Sequence, residues 1–342
     1  LAYYIRHLGL TGGTRIAALH AAFLCDMGHE AVLATRHLET GYAFPVPVTT
    51  IGGMDDLARL DLDAVVTCKP QDCLEAMTLA GPRQVFFCQG YDIAQLDEYF
   101  AQKAREPKYA WWGGRAFLAA KHRLKARAIH KVFELPTAKW VVSPHIADII
   151  REAYGQESRL IRNCIDPERF YPEDKPDGPA RILSVGDYRL ARKNIPAAIE
   201  AVRLLKKTRP VHFIRVSPHR IDPEERACGV VDEAFEGVTD AELARLVRMS
   251  HILLSSSTEE GFGLPPVEAM ASGTLAVLAD IPAYRHFHVA APGTPLPYAR
   301  HFPPTDPTAM ADALRSAIDD AAANAALRAN GLALASHYLP AA

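Results

Sequence analysis

Apolar runs of strand length alternate with segments of helical periodicity along the whole chain. In the first half these runs cover residues 1–8, 30–35, 62–68, 83–88 and 139–143. In the second half they cover residues 181–185, 211–216, 251–257 and 274–279. Runs of this length predict buried strands, and their alternation with helices predicts parallel sheets with right-handed crossovers. The pattern therefore predicts an α/β protein.

A proline- and charge-rich tract interrupts this alternation near the middle of the chain. Such a tract is typical of a linker between domains, and 342 residues are enough for two domains of ordinary size. Both domains are predicted to be doubly wound and Rossmann-like, with ligands at the carboxyl ends of their strands. We predict an N-terminal domain at residues 1–165, a linker at 166–178, a C-terminal domain at 179–325 and a tail at 326–342.

The stretch 259–273, with the sequence EEGFGLPPVEAMASG, has the features of a strand-to-helix turn. It follows the apolar run 251–257, and Glu260 with two glycines predicts a loop. Pro265 and Pro266 suit the first turn of a helix, where a missing N–H costs nothing. Gly273 suits the position just past the helix end. We therefore predict a strand, a tight loop and a short helix here.

This turn has the chemistry of a binding site for an anion flanked by hydroxyl groups. Glycines let the backbone approach a ligand, and the start of a helix attracts anions. Glu260 and Glu268 bracket the turn, and carboxylates repel phosphate but accept hydrogen bonds from hydroxyls. The implied ligand has phosphate in its middle and polyols at both ends, as a sugar nucleotide does. We predict that Glu268 lies in the first turn of the helix. The alternative is an ordinary helix start at which Glu268 only complements the helix dipole.

The stretch resembles the E-x(7)-E motif of the retaining glycosyltransferases of family 4. These enzymes have the GT-B fold, in which two Rossmann-like domains face a central cleft. Glu260 and Glu268 stand at the two glutamates of the motif. The resemblance implies that Glu260 contacts the donor sugar and that Glu268 holds the ribose hydroxyls. It also implies that sugar and phosphate contact the backbone of the loop residues Gly261, Phe262, Gly263 and Leu264.

Three cations, Arg189, Arg192 and Lys193, lie in the loop after the first strand of the second half. Arginine and lysine both suit a diphosphate. The family has an arginine directly after the loop glycine and a lysine before the next helix. Lys193 matches that lysine, but Asp187 occupies the arginine position, so Arg189 or Arg192 is predicted to supply the charge. The alternative is a set of solvated loop charges.

In the first half, Gly12 and Gly13 follow the first strand and match the family's glycine-rich loop. That resemblance implies an approach to the donor phosphates from the N-terminal domain, whereas the alternative is a simple tight turn. Many relatives place a histidine near the donor sugar after a strand of this domain, but this chain has Cys68-Lys69-Pro70. The side chains that we predict to line the acceptor side instead are Gln89, Tyr91 and Asp92. The alternative for Asp92 is a cap of the helix that begins near residue 93.

The predicted helix at residues 113–131 is basic. It carries six Lys or Arg residues and no acid, and Trp111 and Trp112 come just before it. A basic helix flanked by aromatic residues suits an anionic membrane or a lipid-phosphate acceptor. The alternative is a solvated surface helix. The resemblance further implies that the tail at 326–342 begins a helix that returns to the N-terminal domain.

Composition narrows the remaining possibilities. The formal charge of −2 gives no reason to expect nucleic acid as a partner, and no apolar run reaches the roughly 20 residues of a membrane span. The six cysteines are scattered without a metal-binding pattern, which predicts no metal site and a reducing compartment. We therefore expect a cytoplasmic protein with, as an option, a peripheral membrane contact.

The residues and the resemblance together imply a retaining, metal-independent hexosyl- or related glycosyltransferase. It would move a sugar from a UDP or GDP donor to a hydroxyl of a glycan, glycolipid or small molecule, in cell-surface polysaccharide or natural-product synthesis. Lys193 and Arg189 would stabilise the leaving diphosphate and Glu260 would orient the sugar, with no cofactor besides the donor. The alternatives are a non-catalytic nucleotide-sugar-binding subunit, or a sugar-nucleotide epimerase or phosphorylase on the same fold.

Overall fold

The computed structural model of the chain describes residues 1–9, 11–39 and 43–340. The chain divides into two compact units, Leu1–Arg162 and Asn163–Ala342. The division lies three residues before the predicted domain end at residue 165, so the predicted linker is part of the second unit.

The first unit is built on a parallel sheet with helices between its strands. Its strands are β1 Ala2–Tyr4, β2 His7–Leu8, β3 Val32–Thr35, β4 His37–Leu38, β5 Val48–Thr50, β6 Ala64–Thr67, β7 Arg83–Cys88, β8 Ala138–Val141 and β9 Arg159–Leu160. Its helices are α1 Gly12–Asp26, α2 Met54–Ala58, α3 Pro70–Ala76, α4 Asp92–Lys103, α5 Trp112–Glu134 and α6 Pro144–Tyr154, with a 3₁₀ turn at Pro107–Tyr109.

Seven strands of this unit pair in the order β5-β3-β1-β6-β7-β8-β9, and β2 pairs with β4 separately. The order runs outward from β1 in both directions, which is the doubly wound arrangement that the sequence predicts. Helix α1 begins at Gly12, because Thr11 caps it by accepting a hydrogen bond from the Thr14 N–H. Gly12 and Gly13 are therefore the first two residues of the helix.

The second unit repeats the same arrangement. Its strands are β10 Ala180–Val185, β11 Val211–Ser217, β12 Glu233–Glu236, β13 Ile252–Ser255, β14 Leu275–Ala279 and β15 Arg300–Phe302. Its helices are α7 Ile195–Lys206, α8 Pro223–Ala227, α9 Asp240–Arg248, α10 Leu264–Ala271, α11 Pro282–Arg285, α12 Phe287–Ala290, α13 Pro307–Asp319 and α14 Ala321–Ser336, with a 3₁₀ turn at Ala191–Lys193.

The strand order of the second unit is β12-β11-β10-β13-β14-β15, and all of its neighbouring strands are parallel. Helices cover both faces of such a sheet, which is why its central strands are continuously apolar rather than alternating. All five residues of β14 are buried. The two sheets confirm the prediction of two Rossmann-like halves.

The predicted boundary at residue 325 is wrong, because residues 321–336 form the single helix α14. This helix packs on α10 within the second unit, and Gly331 lies against the side chain of Met270. After the helix, the Tyr338 carbonyl accepts a hydrogen bond of 2.8 Å from the Ile165 N–H. The described part of the tail therefore belongs to the second unit, and residues 341–342 lie outside the described residues.

None of the helices in residues 1–9, 11–39 and 43–340 combines the length and apolarity that crossing a bilayer requires.

A buried histidine in α1 should make the stability of the first unit depend on pH. His20 is 8% exposed, stacks on Phe87, and its Nε2 has no hydrogen-bond partner among the described residues. Burial lowers the pKa of His20 to about 4, because the charged imidazolium would lose its hydration.

We predict that acidification from pH 6.5 to pH 4 lowers the free energy of unfolding through His20 by about 3 kcal/mol. In this window the unfolded chain binds a proton at His20 that the folded chain does not. The His20→Phe variant should therefore show a shallower loss of stability with acid in urea titrations at several pH values. An equal slope in both proteins would show that His20 does not titrate as this environment requires.

Candidate functional site

The candidate site lies at the carboxyl ends of β10 and β13. These neighbouring strands mark the point where the strand order of the second unit reverses, since β11 and β12 follow on one side of β10 and β14 and β15 on the other side of β13. The connections that leave the two strands diverge to opposite faces of the sheet, so a crevice forms between them.

The two loops that follow these strands are joined by hydrogen bonds. The Thr258 N–H donates to the Arg192 carbonyl at 2.8 Å. The Ser256 hydroxyl donates to the Lys193 carbonyl, also at 2.8 Å. These bonds fix the backbone on both sides of Lys193 against the loop that carries Glu260.

Lys193 and Glu260 form an ion pair at the centre of this arrangement. The Lys193 Nζ lies 2.5 Å from the Glu260 Oε1, which also accepts a hydrogen bond of 2.8 Å from the Ser257 hydroxyl. The two side chains are 20% and 15% exposed, so solvent still reaches them. An ammonium has three N–H donors and can hold a carboxylate and a phosphate oxygen together. The sequence predicted both residues as site residues, and the structure brings them together.

The turn after Glu260 depends on Gly263, which has a φ of +100° and directly precedes α10. A Cβ at this position would lie 2.5 Å from Cε1 of Tyr284, so a larger residue does not fit. Pro265 and Pro266 occupy the first turn of the helix, as predicted. Prolines have no N–H, so the backbone N–H groups at the helix start are those of Gly263, which is buried, and of Leu264, which is partly exposed.

Phe262, in the predicted donor-binding loop, is only 5% exposed, and its ring makes edge contacts with the rings of Phe287 and Tyr338, at 5.3 and 5.2 Å between centroids. Its side chain is therefore packed inside the second unit. A contact between a ligand and the backbone of this loop stays a prediction. Gly261 precedes Phe262 and is partly exposed.

Beneath the loop lies a hydrogen-bonded group that sequence reasoning missed. The Tyr284 side chain is fully buried, and its hydroxyl lies 2.6 Å from the Ser255 Oγ. Burial raises the pKa of Tyr284 far above its usual range, and the nearby Glu260 carboxylate adds to this. Tyr284 therefore remains a neutral support beneath the carboxylate. No local signal marks it, because it lies on the separate helix α11.

Glu268, the second glutamate of the motif, is 2% exposed. It is the fifth residue of α10 and lies in the second turn, so the prediction of the first turn is wrong. The helix begins at Leu264, because Gly263 takes the cap position. The role of Glu268 toward ribose hydroxyls stays a prediction.

The predicted replacement for the family arginine has other partners. The Arg189 side chain is 70% exposed, and its Nε donates to the Asp222 carboxylate at 2.9 Å. The Asp187 carboxylate, at the family arginine position, accepts a hydrogen bond of 2.9 Å from the Arg189 N–H. Arg192 is half-buried and joins the site through its carbonyl. Roles for Arg189 and Arg192 toward a diphosphate stay predictions.

A second feature that sequence reasoning missed is a buried arginine behind the β10 loop. Arg215, on β11, is fully buried and its Nε donates to the Glu225 Oε1 at 2.7 Å. Its Nη1 donates to the Ser184 carbonyl, and its Nη2 donates to the Gly186 carbonyl at 2.6 Å. The guanidinium therefore holds the end of β10 and the start of the Lys193 loop. A lone arginine in an apolar strand run is the only sequence signal.

We predict that Arg215→Met lowers the free energy of unfolding by about 3–5 kcal/mol, because it leaves the Glu225 carboxylate buried without its cation. The double variant Arg215→Met/Glu225→Leu should recover most of that loss, since it removes both charges. Urea denaturation of the single and double variants measures this. If the double variant is no more stable than the single one, the pair does not stabilise the loop as described.

In the first unit, the glycine loop and one acceptor-side residue come together. The Gln89 Nε2 donates to the Gly13 carbonyl at 3.0 Å and lies 3.6 Å from the Cys68 Sγ. A Cβ on Gly13 would lie 2.2 Å from the Gln89 Oε1, so a larger residue here would displace the Gln89 side chain. The ends of β6 and β7 thus meet the start of α1. Burial raises the pKa of the Cys68 thiol to about 12, so this cysteine stays protonated.

The other two acceptor-side residues face different surroundings. Tyr91 packs against Phe133, and its hydroxyl lies 3.4 Å from that of Tyr154, so its partly buried side chain packs against the hydrophobic core. Asp92 is the first residue of α4, whose cap is Tyr91, and not its cap. Burial raises the pKa of Asp92 to about 7, although the cation of Lys69 opposes this. Asp92 can therefore change its protonation state near neutral pH.

Within the described residues no group of three or more His, Cys, Asp or Glu side chains is placed to hold a metal ion. The metal independence of the predicted reaction stays a prediction.

Comparison with known proteins connects the second unit with a protein family. Residues 166–333 match the family model described as glycosyl transferases group 1. This segment contains the Lys193 and Glu260 loops and nearly all of the second unit. The second unit is therefore similar to glycosyl transferases of group 1.

Two curated relatives match at 29% identity. The GDP-mannose:cellobiosyl-diphosphopolyprenol alpha-mannosyltransferase of Komagataeibacter xylinus matches over 206 residues, which are 56% of this chain and 50% of that protein. The phosphatidyl-myo-inositol mannosyltransferase of Mycobacterium tuberculosis matches over 209 residues, which are 54% of each protein. The chain thus spans about half the length of the curated relatives it matches.

A solved structure supports the fold of the whole chain. Sucrose-phosphate synthase from Thermosynechococcus elongatus superposes with a TM-score of 0.74 over 99% of this chain and 94% of its own, at 15% identity. Its similarity confirms the GT-B type of fold, with two Rossmann-like halves. At this identity the likeness shows the fold alone.

Proposed function

We propose that the protein is a retaining glycosyltransferase that moves a hexose from a nucleoside-diphosphate sugar to a hydroxyl group. One observation carries the proposal. The Lys193–Glu260 pair lies 2.5 Å apart at the switch point of a unit similar to glycosyl transferases of group 1, beside the helix start at Gly263. A cation and the backbone N–H groups of a helix start suit the diphosphate of a sugar nucleotide, and a carboxylate can accept hydrogen bonds from sugar hydroxyls.

The proposed donor is GDP-mannose, with UDP sugars as the next candidates. Support comes from the names of the two curated relatives, which describe mannosyltransferases, one of them with GDP-mannose. The proposed acceptor is a lipid-linked glycan or glycolipid, since the same names contain a diphosphopolyprenol and a phosphatidyl-inositol. Gln89 and Asp92 are proposed to bind acceptor hydroxyls from the first unit.

In the proposed reaction, the bond between the sugar C1 and the diphosphate oxygen breaks and a bond from C1 to the acceptor oxygen forms on the same face. The acceptor proton passes to the leaving diphosphate. Lys193 and the N–H groups of Gly263 and Leu264 stabilise the negative charge that develops there, which is the main electrostatic demand of the step. Glu260 accepts hydrogen bonds from sugar hydroxyls and orients the ring, and Glu268 holds the ribose.

The stereochemical outcome tests the proposal. Purified protein with GDP-mannose and a panel of polyprenyl-diphosphate- and phosphatidylinositol-linked acceptors should give a product whose anomeric configuration, read by one-bond carbon–proton coupling, equals that of the donor. Inversion would contradict the mechanism. Donor binding without turnover on any acceptor would favour a binding subunit, and turnover that requires inorganic phosphate would favour a phosphorylase.

Two variants test the residue roles. We predict that Lys193→Ala lowers kcat by about 10²-fold or more with a smaller change in donor affinity, because the diphosphate charge is greatest in the transition state. We predict that Glu268→Ala weakens binding of the free nucleotide, because the ribose contact does not need the sugar. Steady-state kinetics and calorimetric titration measure the two effects.

The exposed Lys207→Ala is the matched control for both variants and should leave both quantities unchanged. If Lys193→Ala keeps the kcat of the parent protein, Lys193 does not stabilise the leaving diphosphate. If Glu268→Ala keeps the nucleotide affinity of the parent protein, Glu268 does not bind the ribose.

A further inference from the structure

Large apolar side chains are exposed together on one part of the first unit. Between residues 99 and 124 the exposed fractions are 44% for Tyr99, 66% for Trp111, 85% for Trp112, 57% for Phe117 and 70% for Leu124. Single exposed apolar residues are ordinary on a protein surface, but a contiguous group marks an interaction site. Tyr99 lies on α4 and Trp111 directly precedes α5. The other three residues lie on α5.

Helix α5 has apolar residues on two sides. One side carries Leu118, Ile129 and Val132, which are buried in the unit. Phe117 and Leu124 are seven residues apart and therefore share a different side of the helix, which is exposed. The buried side accounts for the folding of α5, so the exposed side is left for a partner.

Cations surround the exposed rings. The Lys121 Nζ lies 5.9 Å from the centroid of the Phe117 ring, and the Lys103 and Lys125 Nζ atoms each lie 5.7 Å from that of Tyr99. From residue 97 to residue 131 the sequence has nine Lys or Arg residues and three acids, Asp97, Glu98 and Glu106. Glu106 is paired with Lys103 and Lys108, and the Asp97 carboxylate lies 2.6 Å from the His122 ring. The chain as a whole has a charge of −2, so this positive charge is concentrated here.

We propose that this face docks on a membrane that carries anionic lipids. We call it the α4–α5 surface, and its defining residues are Tyr99, Phe117, Lys121, Leu124 and Lys125. Aromatic and leucine side chains enter the boundary between headgroups and acyl chains, and lysines beside them bind the headgroup phosphates. The exposed apolar side chains favour a membrane over nucleic acid as the partner. A leucine between lysines is removed from water when it enters lipid, whereas a phosphate backbone would leave it exposed.

The docking surface goes beyond the proposed transfer reaction and agrees with it, because a lipid-linked acceptor must be reached at a membrane. The evidence for the surface is independent of the donor site. It rests on exposure and charge in the first unit, whereas the donor site rests on contacts within the second.

Vesicle co-sedimentation of the full chain tests the proposal. The probes are vesicles of phosphatidylcholine alone and of phosphatidylcholine mixed with phosphatidylglycerol, at low and high salt. We expect binding to the mixed vesicles, much weaker binding to the neutral ones, and a loss of binding at high salt because the headgroup attraction is screened. Equal binding to both vesicles, or no binding to either, would overturn the proposal.

Two pairs of substitutions separate the apolar and the basic contributions. Phe117→Ser/Leu124→Ser should weaken vesicle binding at least tenfold, and Lys121→Gln/Lys125→Gln about twenty-fivefold, from roughly fivefold for each lysine. The matched controls change exposed residues elsewhere, Met27→Ser/Met77→Ser for the apolar pair and Arg83→Gln/Lys207→Gln for the basic pair. Controls that weaken binding as much as the test variants would overturn the assignment to this surface.

Light scattering without vesicles tests whether this surface instead binds a second copy of the chain. The protein should remain monomeric, and an oligomer that dissociates in Phe117→Ser/Leu124→Ser would assign the surface to a second copy of the chain and overturn the membrane proposal. Donor binding by the same variants keeps the two proposals apart. Variants that lose vesicle binding but keep nucleotide binding would support the membrane-docking proposal, whether or not the protein carries out the proposed transfer reaction.

Discussion

The reversal of strand order between β10 and β13 is the constraint on which the candidate site depends. Parallel strands need crossover helices, and right-handed crossovers that leave the two strands in opposite directions open a crevice at their carboxyl ends. Lys193 comes from the loop after β10 and Glu260 from the loop after β13. The Lys193 Nζ and the Glu260 Oε1 therefore lie 2.5 Å apart, although the two residues are separated by 67 positions in the sequence.

The surrounding polar groups keep that crevice in shape. Backbone and hydroxyl bonds join the two loops, Tyr284 supports the glutamate loop from below, and Arg215 with Glu225 holds the end of β10. Buried polar groups are costly unless they are satisfied, so these contacts define one loop geometry rather than several. A rigid site of this kind can stabilise charge in a transition state without first reorganising.

Much of this could be predicted from the sequence, because the main signals are local. Apolar runs, Gly263, Pro265 and the two glutamates mark the sheet and the turn within short stretches. The supports of the site could not be predicted, since Tyr284 and Arg215 reach it through tertiary packing and have no motif around them. Tyr91 is predicted on the acceptor side from its place after a strand, and only the structure shows that its partly buried ring packs against the core. A short stretch of sequence predicts where a strand ends, but the direction of each side chain after it depends on tertiary packing.

We propose that the β10–β13 crevice binds the diphosphate of a sugar nucleotide. Thermal unfolding of the purified protein with GDP, UDP and the matching monophosphates, without added metal, tests this binding. A ligand that binds only the folded state raises the melting temperature, by about 5 °C at a hundredfold excess over Kd. We expect such a shift with one diphosphate and a much smaller one with its monophosphate. No shift with either diphosphate, or equal shifts with di- and monophosphate, would contradict it.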